Sequence, residues 1–420
     1  MAESMRDRIE AANRRAYDVF VGGQPVWVGV RPAGEVVPGL RRNVILHTGP
    51  ELDFDRMLPA HQSGIIGGIL SEGLARTREE AIDLIHRGEV QLAPGVDYWV
   101  PGGGMASTSF SMPVAVAEDT VHGTRGFVAL QEGPSYEALR WGVYNDVVAD
   151  RWSWFREILG PSLDEALKAM GGINLRTIIA RSLQAGDENH SRELCSSLLL
   201  LAELAPHLSV LGLSRGELSR CFEFLRTAER FALHILMAGA TAVLRAAENI
   251  EYCTVVTAMG GNGVELGIKV SNLGNRWFTA PAPIIKGRYL NPSWVPEDTV
   301  PFAGDSCAVE VYGLGGLAAA ASPAVTLLAG GTVEDALDRT REMWTITVGK
   351  NPNYAIPALN FEGTPTCVDM VKVLETSIEP QSHAGIIHKK GGQAGAGVAR
   401  VPVECFKKAF LAFAEKYGLD

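Results

Sequence analysis

The chain has no CxxC pair, no HExxH or HxH pair and no dense basic run. Each absence removes a class of function. Its six cysteines, at 195, 221, 253, 307, 367 and 405, are scattered, so they form neither a zinc ribbon nor a disulfide framework and read as reduced thiols. The nine histidines show no metal-ligand spacing either; no metal and no cofactor are expected. With 48 acidic against 38 basic side chains the net charge is −10, which argues against nucleic acid as a partner. A charged helical pattern, Met5 to Phe20, stands where a signal would be apolar, so a cytoplasmic protein is expected. The uncharged stretch Val311 to Val333 is long enough to span a membrane, but Gly313, Gly315, Gly316, Pro323, Gly330 and Gly331 break it. No membrane partner is expected.

What is present is an ordinary globular composition, 46% hydrophobic and 20% charged over 420 residues, enough for two to four domains. An amphipathic helix over 4–20 leads into strands at Pro25 to Val30 and Val44 to His47. Helices follow over Leu58 to Ala75 and after the capping box Thr77-Arg78-Glu79-Glu80, then a strand at Val90 to Ala93. Pro101-Gly102-Gly103-Gly104 reads as a loop, or as backbone able to approach a ligand. Strands are expected at Ser111 to Glu118 and Gly126 to Leu130. From Ala138 to Ile250 the pattern is helical, and His234, amid Phe231, Leu233, Ile235, Leu236 and Met237, reads as a satisfied core histidine. From Tyr252 on, glycine-rich turns separate strands: a hairpin displaying Asn262 and Glu265, and a strand Ala308 to Tyr312 before the Gly313-Leu314-Gly315-Gly316 turn. Capped or amphipathic helices close the chain at Thr332 to Trp344 and Val403 to Tyr417. The expected fold is a multidomain α+β protein, with an α/β domain over 1–137, a helical domain over 138–250 and a glycine-rich α+β domain over 251–420.

The segment Gly186-Asp187-Glu188-Asn189-His190-Ser191-Arg192 is a polar knot between two apolar helical patterns. Asp187 reads as an N-cap, with Glu188 in the first turn and Arg192 four residues on. Capping needs fewer polar groups than this, which makes the segment a candidate site. A second concentration, His388-Lys389-Lys390-Gly391-Gly392-Gln393, joins cations to flexible backbone, as carboxylate or phosphate recognition needs; a solvated loop is the alternative.

Taken together, these phrases carry a resemblance. Gly186 through Arg192, Asn262-Gly263, Gly304-Asp305-Ser306, Gly315-Gly316, Gly363-Thr364-Pro365-Thr366, Glu375-Thr376 and Gly385-Ile386-Ile387-His388-Lys389 occur in this order, with Leu46-His47-Thr48-Gly49-Pro50 and Glu72-Gly73-Leu74-Ala75 ahead of them. As a set they resemble the AllG-like family, formerly of unknown function, which supplies one subunit of a heteromeric oxamate carbamoyltransferase in allantoin degradation, a branch of purine catabolism. The resemblance implies reversible carbamoyl transfer, with oxalurate and phosphate on one side and oxamate and carbamoyl phosphate on the other. It also implies an acyl-CoA-synthetase-like partner protein, a further small subunit, and a homo-oligomer within the hetero-complex.

That chemistry asks for cations around small anions and for a positioned proton carrier. Arg140, Arg192, Lys269, His388 and Lys389 are the anion-binding candidates. His190 or His388 would move the proton, oriented by Glu188 or Glu375. Asp187, Glu132, Asn262, Glu265, Asp305, Ser306, Gly315, Gly316 and Thr364 complete the substrate-binding set. Alanine at Arg192 or His388 is expected to abolish turnover.

The chain departs from the family pattern where Ala93 to Gly104 lacks adjacent histidines, where Gln131-Glu132-Gly133 replaces Asn-Glu-Gly, and where no arginine precedes Asn262. Such changes alter proton transfer and charge, and suit another substrate or a noncatalytic scaffold. A stand-alone amide or ureide hydrolase using Cys307 or Cys367 is the remaining alternative.

Overall fold

The helix Phe231–Ala246 is hydrophobic on all sides and accordingly lies at the centre, with only Arg245 and Ala246 outside the buried set. In this computed structural model, which describes residues 4–134 and 136–419, that helix packs across a four-stranded antiparallel sheet. The strands are, in spatial order, Thr124–Ala129, Pro113–Asp119, Pro25–Pro32 and Ile173–Asn174. Contact is close enough that a Cβ on Gly126 would stand 2.3 Å from the Ala238 carbonyl oxygen, so only glycine fits there.

A second antiparallel sheet runs Phe278–Pro281, Glu265–Val270, Val256–Asn262, Ala303–Gly304. A third orders Lys286–Tyr289, Gln393–Arg400 and Gln381–Ile387. The long strands Thr347–Ile356 and Glu362–Val368 pair separately, and Val44–His47 sits between Gln91–Pro94, parallel, and Ser107–Thr108, antiparallel. The fold is thus mixed α+β. Elements on both sides of residues 138 and 251 share one core, which runs from Ala12 to Phe413.

Local chemistry explains many boundaries. Ser214 and Thr332 each form a reciprocal capping box, with Glu217 and Asp335, that starts the helices Arg215–Thr227 and Val333–Thr345. The final helix, Val403–Tyr417, buries Phe406 and Phe413 as its period requires. Two expectations are corrected. Residues Ala308–Val311 form a short helix, not a strand; all four side chains, Glu310 included, are buried, so burial does not alternate along the run as a half-buried strand requires. The Asp187 segment is not a first helical turn: Gly186 and Asn189 adopt positive φ, +93° and +64°, and the helix begins only at Leu194. Asp187 still caps it, reaching across to accept the Ser196 N–H at 2.9 Å. No helix among the described residues is long and apolar enough to cross a membrane.

Candidate functional site

The irregular backbone of 186–193 is tied down by one carboxylate. Glu188 accepts the backbone N–H groups of His190, Ser191 and Arg192 at 3.1, 2.5 and 2.8 Å. Its own carbonyl accepts the Gly315 N–H at 2.7 Å, fastening the knot to the Gly315-Gly316 turn. The resulting loop holds the His190 ring at about 1% exposure.

Around that ring a relay is assembled from three separate stretches. His190 Nδ1 lies 2.7 Å from both oxygens of Glu310, and its Nε2 lies 2.9 Å from the Ser306 hydroxyl. Glu310 is fixed in turn by the N–H groups of Gly316 and His383, at 2.8 and 3.0 Å. A carboxylate only accepts, so Nδ1 donates to Glu310, and in the neutral tautomer this fixes, Nε2 offers its lone pair to Ser306. The order hydroxyl, imidazole, carboxylate is the arrangement in which a base, positioned by an acid, can take a proton from an oxygen or nitrogen. His383, fully buried, places its Nδ1 3.2 Å from Glu188 and completes a block of histidines and carboxylates behind the relay.

His190 and Ser306 open onto a small pocket that also meets Arg140, Arg230, His234 and Gln131, with Gly103, Gly104 and Gly385 in its walls. Arg140 is buried; burial pulls its pKa down to about 10, which leaves it charged at neutral pH. Glu132 orients the Arg140 turn by accepting the Leu139 and Arg140 N–H groups, and the Trp152 indole donates to it as well. One guanidinium nitrogen, Nη2, donates to the Gly133 carbonyl at 2.9 Å, while Nη1 is buried without a partner. A buried donor left unmade costs on the order of 1–3 kcal/mol; a ligand oxygen would recover that. Arg230 donates to the His190 carbonyl at 3.0 Å and pairs with Glu193 at 3.3 Å. Burial pushes the Glu193 carboxyl up to about 8.

His234 adds a different character. Its Nδ1 lies 2.7 Å from the Ala129 carbonyl, so that nitrogen must be the donor, and burial drives the ring's pKa down to about 3. The ring is therefore neutral, and Nε2 is an acceptor. It lies on the Gly103 side of the pocket, where a Cβ on Gly103 would come within 2.8 Å of it. Gly104 must be glycine as well: its φ is +61° and a Cβ would meet the Arg140 carbonyl at 2.4 Å. Two arginines, a base with a hydroxyl, and one obligate acceptor suit a small anion that also bears N–H groups.

Of the residues singled out from the sequence, His190, Arg140 and Ser306 line this pocket. Glu188, Glu132, Gly315 and Gly316 hold those residues from behind. Asp305 is buried beside Ser306, accepting the Gly49 and Gly102 N–H groups at 2.7 and 3.1 Å; burial raises its carboxyl to about 7. The rest lie elsewhere. Arg192 is half-exposed, 3.8 Å from Asp187. His388 packs on the Trp294 ring at 5.0 Å, Lys389 pairs with Asp298 at 3.1 Å, and Glu375 is exposed on the helix Met370–Thr376. Lys269 is engaged by Asp97 and Asn275 and lies over the Trp277 ring. Asn262 closes its own turn by accepting the Val264 and Glu265 N–H groups; Glu265 is half-buried beside Thr279. Thr364 is buried away from the pocket, its hydroxyl without a partner. The tail does converge on the 186–192 knot, but through His383 and Gly385 and not through His388 and Lys389.

Sequence reasoning missed Arg230, Glu310, His383 and the pocket face of His234. One signal was available: Glu310 is a lone carboxylate inside the apolar run Ala308 to Tyr312, and such a group needs a buried partner. Cys307 and Cys367 are buried, and burial raises both thiols well above their usual range, which removes the thiolate a cysteine hydrolase needs. Among the described residues no group of three or more His, Cys, Asp or Glu is placed to hold a metal.

Fold and site together define a mixed α+β protein with a small, cationic, histidine-containing pocket. The family described as "Oxamate carbamoyltransferase subunit AllG" matches residues 90–306. The chain is 35% identical to the protein of that name from Escherichia coli K12 over 98% of its own length and 99% of the relative's. It is 38% identical to the uncharacterized protein YahG of the same organism, covering 99% of this chain and 88% of that one. A crystal structure of a conserved protein of unknown function from Enterococcus faecalis V583 superposes with a TM-score of 0.96 at 36% identity, covering 99% of both chains. The chain belongs to the AllG family.

Proposed function

We propose that this chain is the subunit of a heteromeric, cytoplasmic carbamoyltransferase that binds a small anionic amide or ureide of the oxamate and oxalurate type, with carbamoyl phosphate as the other carbamoyl carrier. The supporting observation is the pocket itself: Arg140 presents a buried, unpartnered guanidinium nitrogen within a cavity shared by a second arginine and the His190 relay. In this reading Arg140 and Arg230 receive carboxylate or phosphate oxygens, and His190 Nε2 accepts the proton that the attacking nitrogen loses. Glu310 keeps the imidazole in the required tautomer.

His234 supplies discrimination. An obligate acceptor welcomes the amide N–H of oxamate and repels the carboxylate oxygen of oxalate, which has the same shape and cannot donate. Family membership supports a subunit role, with an acyl-CoA-synthetase-like protein and a further small subunit as partners and self-association within that complex. The test is carbamoyl transfer by the complex obtained on co-expression with those partners, together with titration of this chain with oxamate and with oxalate. The reading requires activity in the complex and preference for oxamate. Full activity of a complex carrying Arg140→Met and His190→Gln would leave the chain a scaffold.

A further inference from the structure

We propose that Ser306 is a nucleophile that carries the carbamoyl group as an Oγ-carbamoyl ester between donor and acceptor. The inference deepens the transferase reading and rests on it. Its basis is the relay, which has an element that direct transfer does not need: a hydroxyl on the pocket wall, 2.9 Å from the nitrogen of a histidine whose other nitrogen is held by a carboxylate. This is the geometry that activates a serine.

The surroundings fix that hydroxyl firmly. Ser306 lies two residues after Gly304, whose φ of +113° and tight approach to the Gly104 backbone, 2.6 Å for a hypothetical Cβ, leave room for glycine alone. Asp305 pins the same turn to Gly49 and Gly102. Arg140 Nη1, the unpartnered donor of the pocket, is available to the oxygen that becomes negative when the carbonyl carbon is attacked.

The chemistry balances without an added reagent. Ser306 Oγ attacks the carbonyl carbon of carbamoyl phosphate and its proton passes to His190 Nε2. The C–O bond to phosphate breaks, and phosphate leaves with the electron pair and takes the proton from His190. In the second half the amide nitrogen of oxamate attacks the carbamoyl carbon and yields its proton to His190. The bond to Ser306 Oγ then breaks, the serine recovers a proton from His190, and oxalurate departs.

The decisive experiment gives the assembled complex carbamoyl phosphate and labelled inorganic phosphate with no oxamate present. A serine-bound intermediate predicts exchange of label into carbamoyl phosphate, and a mass gain of one carbamoyl group on the Ser306 peptide after acid quench. Ser306→Ala should lower exchange at least about a hundredfold and abolish the mass gain while oxamate binding persists, and Ser306→Cys should restore part of both. Transfer to oxamate by the wild type with no exchange in oxamate's absence, or transfer undiminished in Ser306→Ala, would overturn the serine intermediate and leave the transferase reading standing. Absence of both transfer and exchange in the wild-type complex would remove that reading, and this inference with it.

Discussion

Two stretches of this chain look alike as sequence and behave in opposite ways. Gly186 through Arg192 and His388 through Gln393 both combine glycine, histidine and basic side chains. In the first, Asp187, Glu188, Asn189 and His190 are all buried, each at 2% exposure or less for the side chain or residue. In the second, Lys389 and Lys390 are exposed and His388 rests on Trp294 at the surface of the hairpin. The flanking chain makes the difference. The knot joins two helices whose apolar faces pull it inward, so its polar groups must satisfy one another. The hairpin turn has strands on either side that can end at water, and its cations need no partner inside.

Predictions follow from that contrast. His190→Gln should lower turnover of the complex about a thousandfold, since the imidazole is both base and contact to Ser306. His388→Gln, in the look-alike segment, should change it by less than about twofold; steady-state rates decide between the two, and equal losses would erase the distinction. Arg140→Met should weaken oxamate binding by roughly thirty- to a hundredfold, on the order of 2–3 kcal/mol for a buried charge-assisted pair. Arg192→Met, half-exposed, should leave the same titration nearly unchanged.

Asp305 offers a test of burial through pH. Its folded carboxyl titrates near 7 against an ordinary value of 3.8, because burial disfavours the anion. A raised folded pKa means the folded state holds the proton better than the unfolded chain does. Its stabilising contribution is therefore complete below the unfolded value and is lost as pH rises to about 7. Urea midpoints of the wild type measured from pH 4 to 7 should carry this declining term, and Asp305→Asn should remove it; an unaltered pH profile in the variant would count against a buried, proton-holding Asp305. The smallest effect belongs to Lys389→Ala. Its pair with Asp298 faces solvent, and its loss should leave the urea midpoint nearly unchanged in the same assay.

Much of this was legible in advance, and the exceptions have physical reasons. The capping boxes at Ser214 and Thr332 and the phenylalanine period of the last helix are local signals and mark their helices directly. The density of polar groups at 186–192 marked a site because it exceeded what capping needs. Glu310 escaped notice because Ala308–Val311 is too short for periodicity to separate helix from strand, and its buried partners come from distant stretches. His234 was legible as a buried histidine, but its role depends on the Ala129 carbonyl, which is 105 residues away and alone determines which nitrogen is left to accept. Arg230 and His383 likewise act through partners, Glu193 and Glu188, whose proximity is created by folding.

The central claim is that a small amide-bearing anion binds between Arg140 and the Ser306–His190 pair. A crystal structure of the chain with oxamate tests it most directly. The account predicts oxamate with a carboxylate oxygen on Arg140 Nη1 and its amide nitrogen toward His234 Nε2. Oxamate bound instead at the His388–Lys390 turn, with the Arg140 pocket empty, would contradict it.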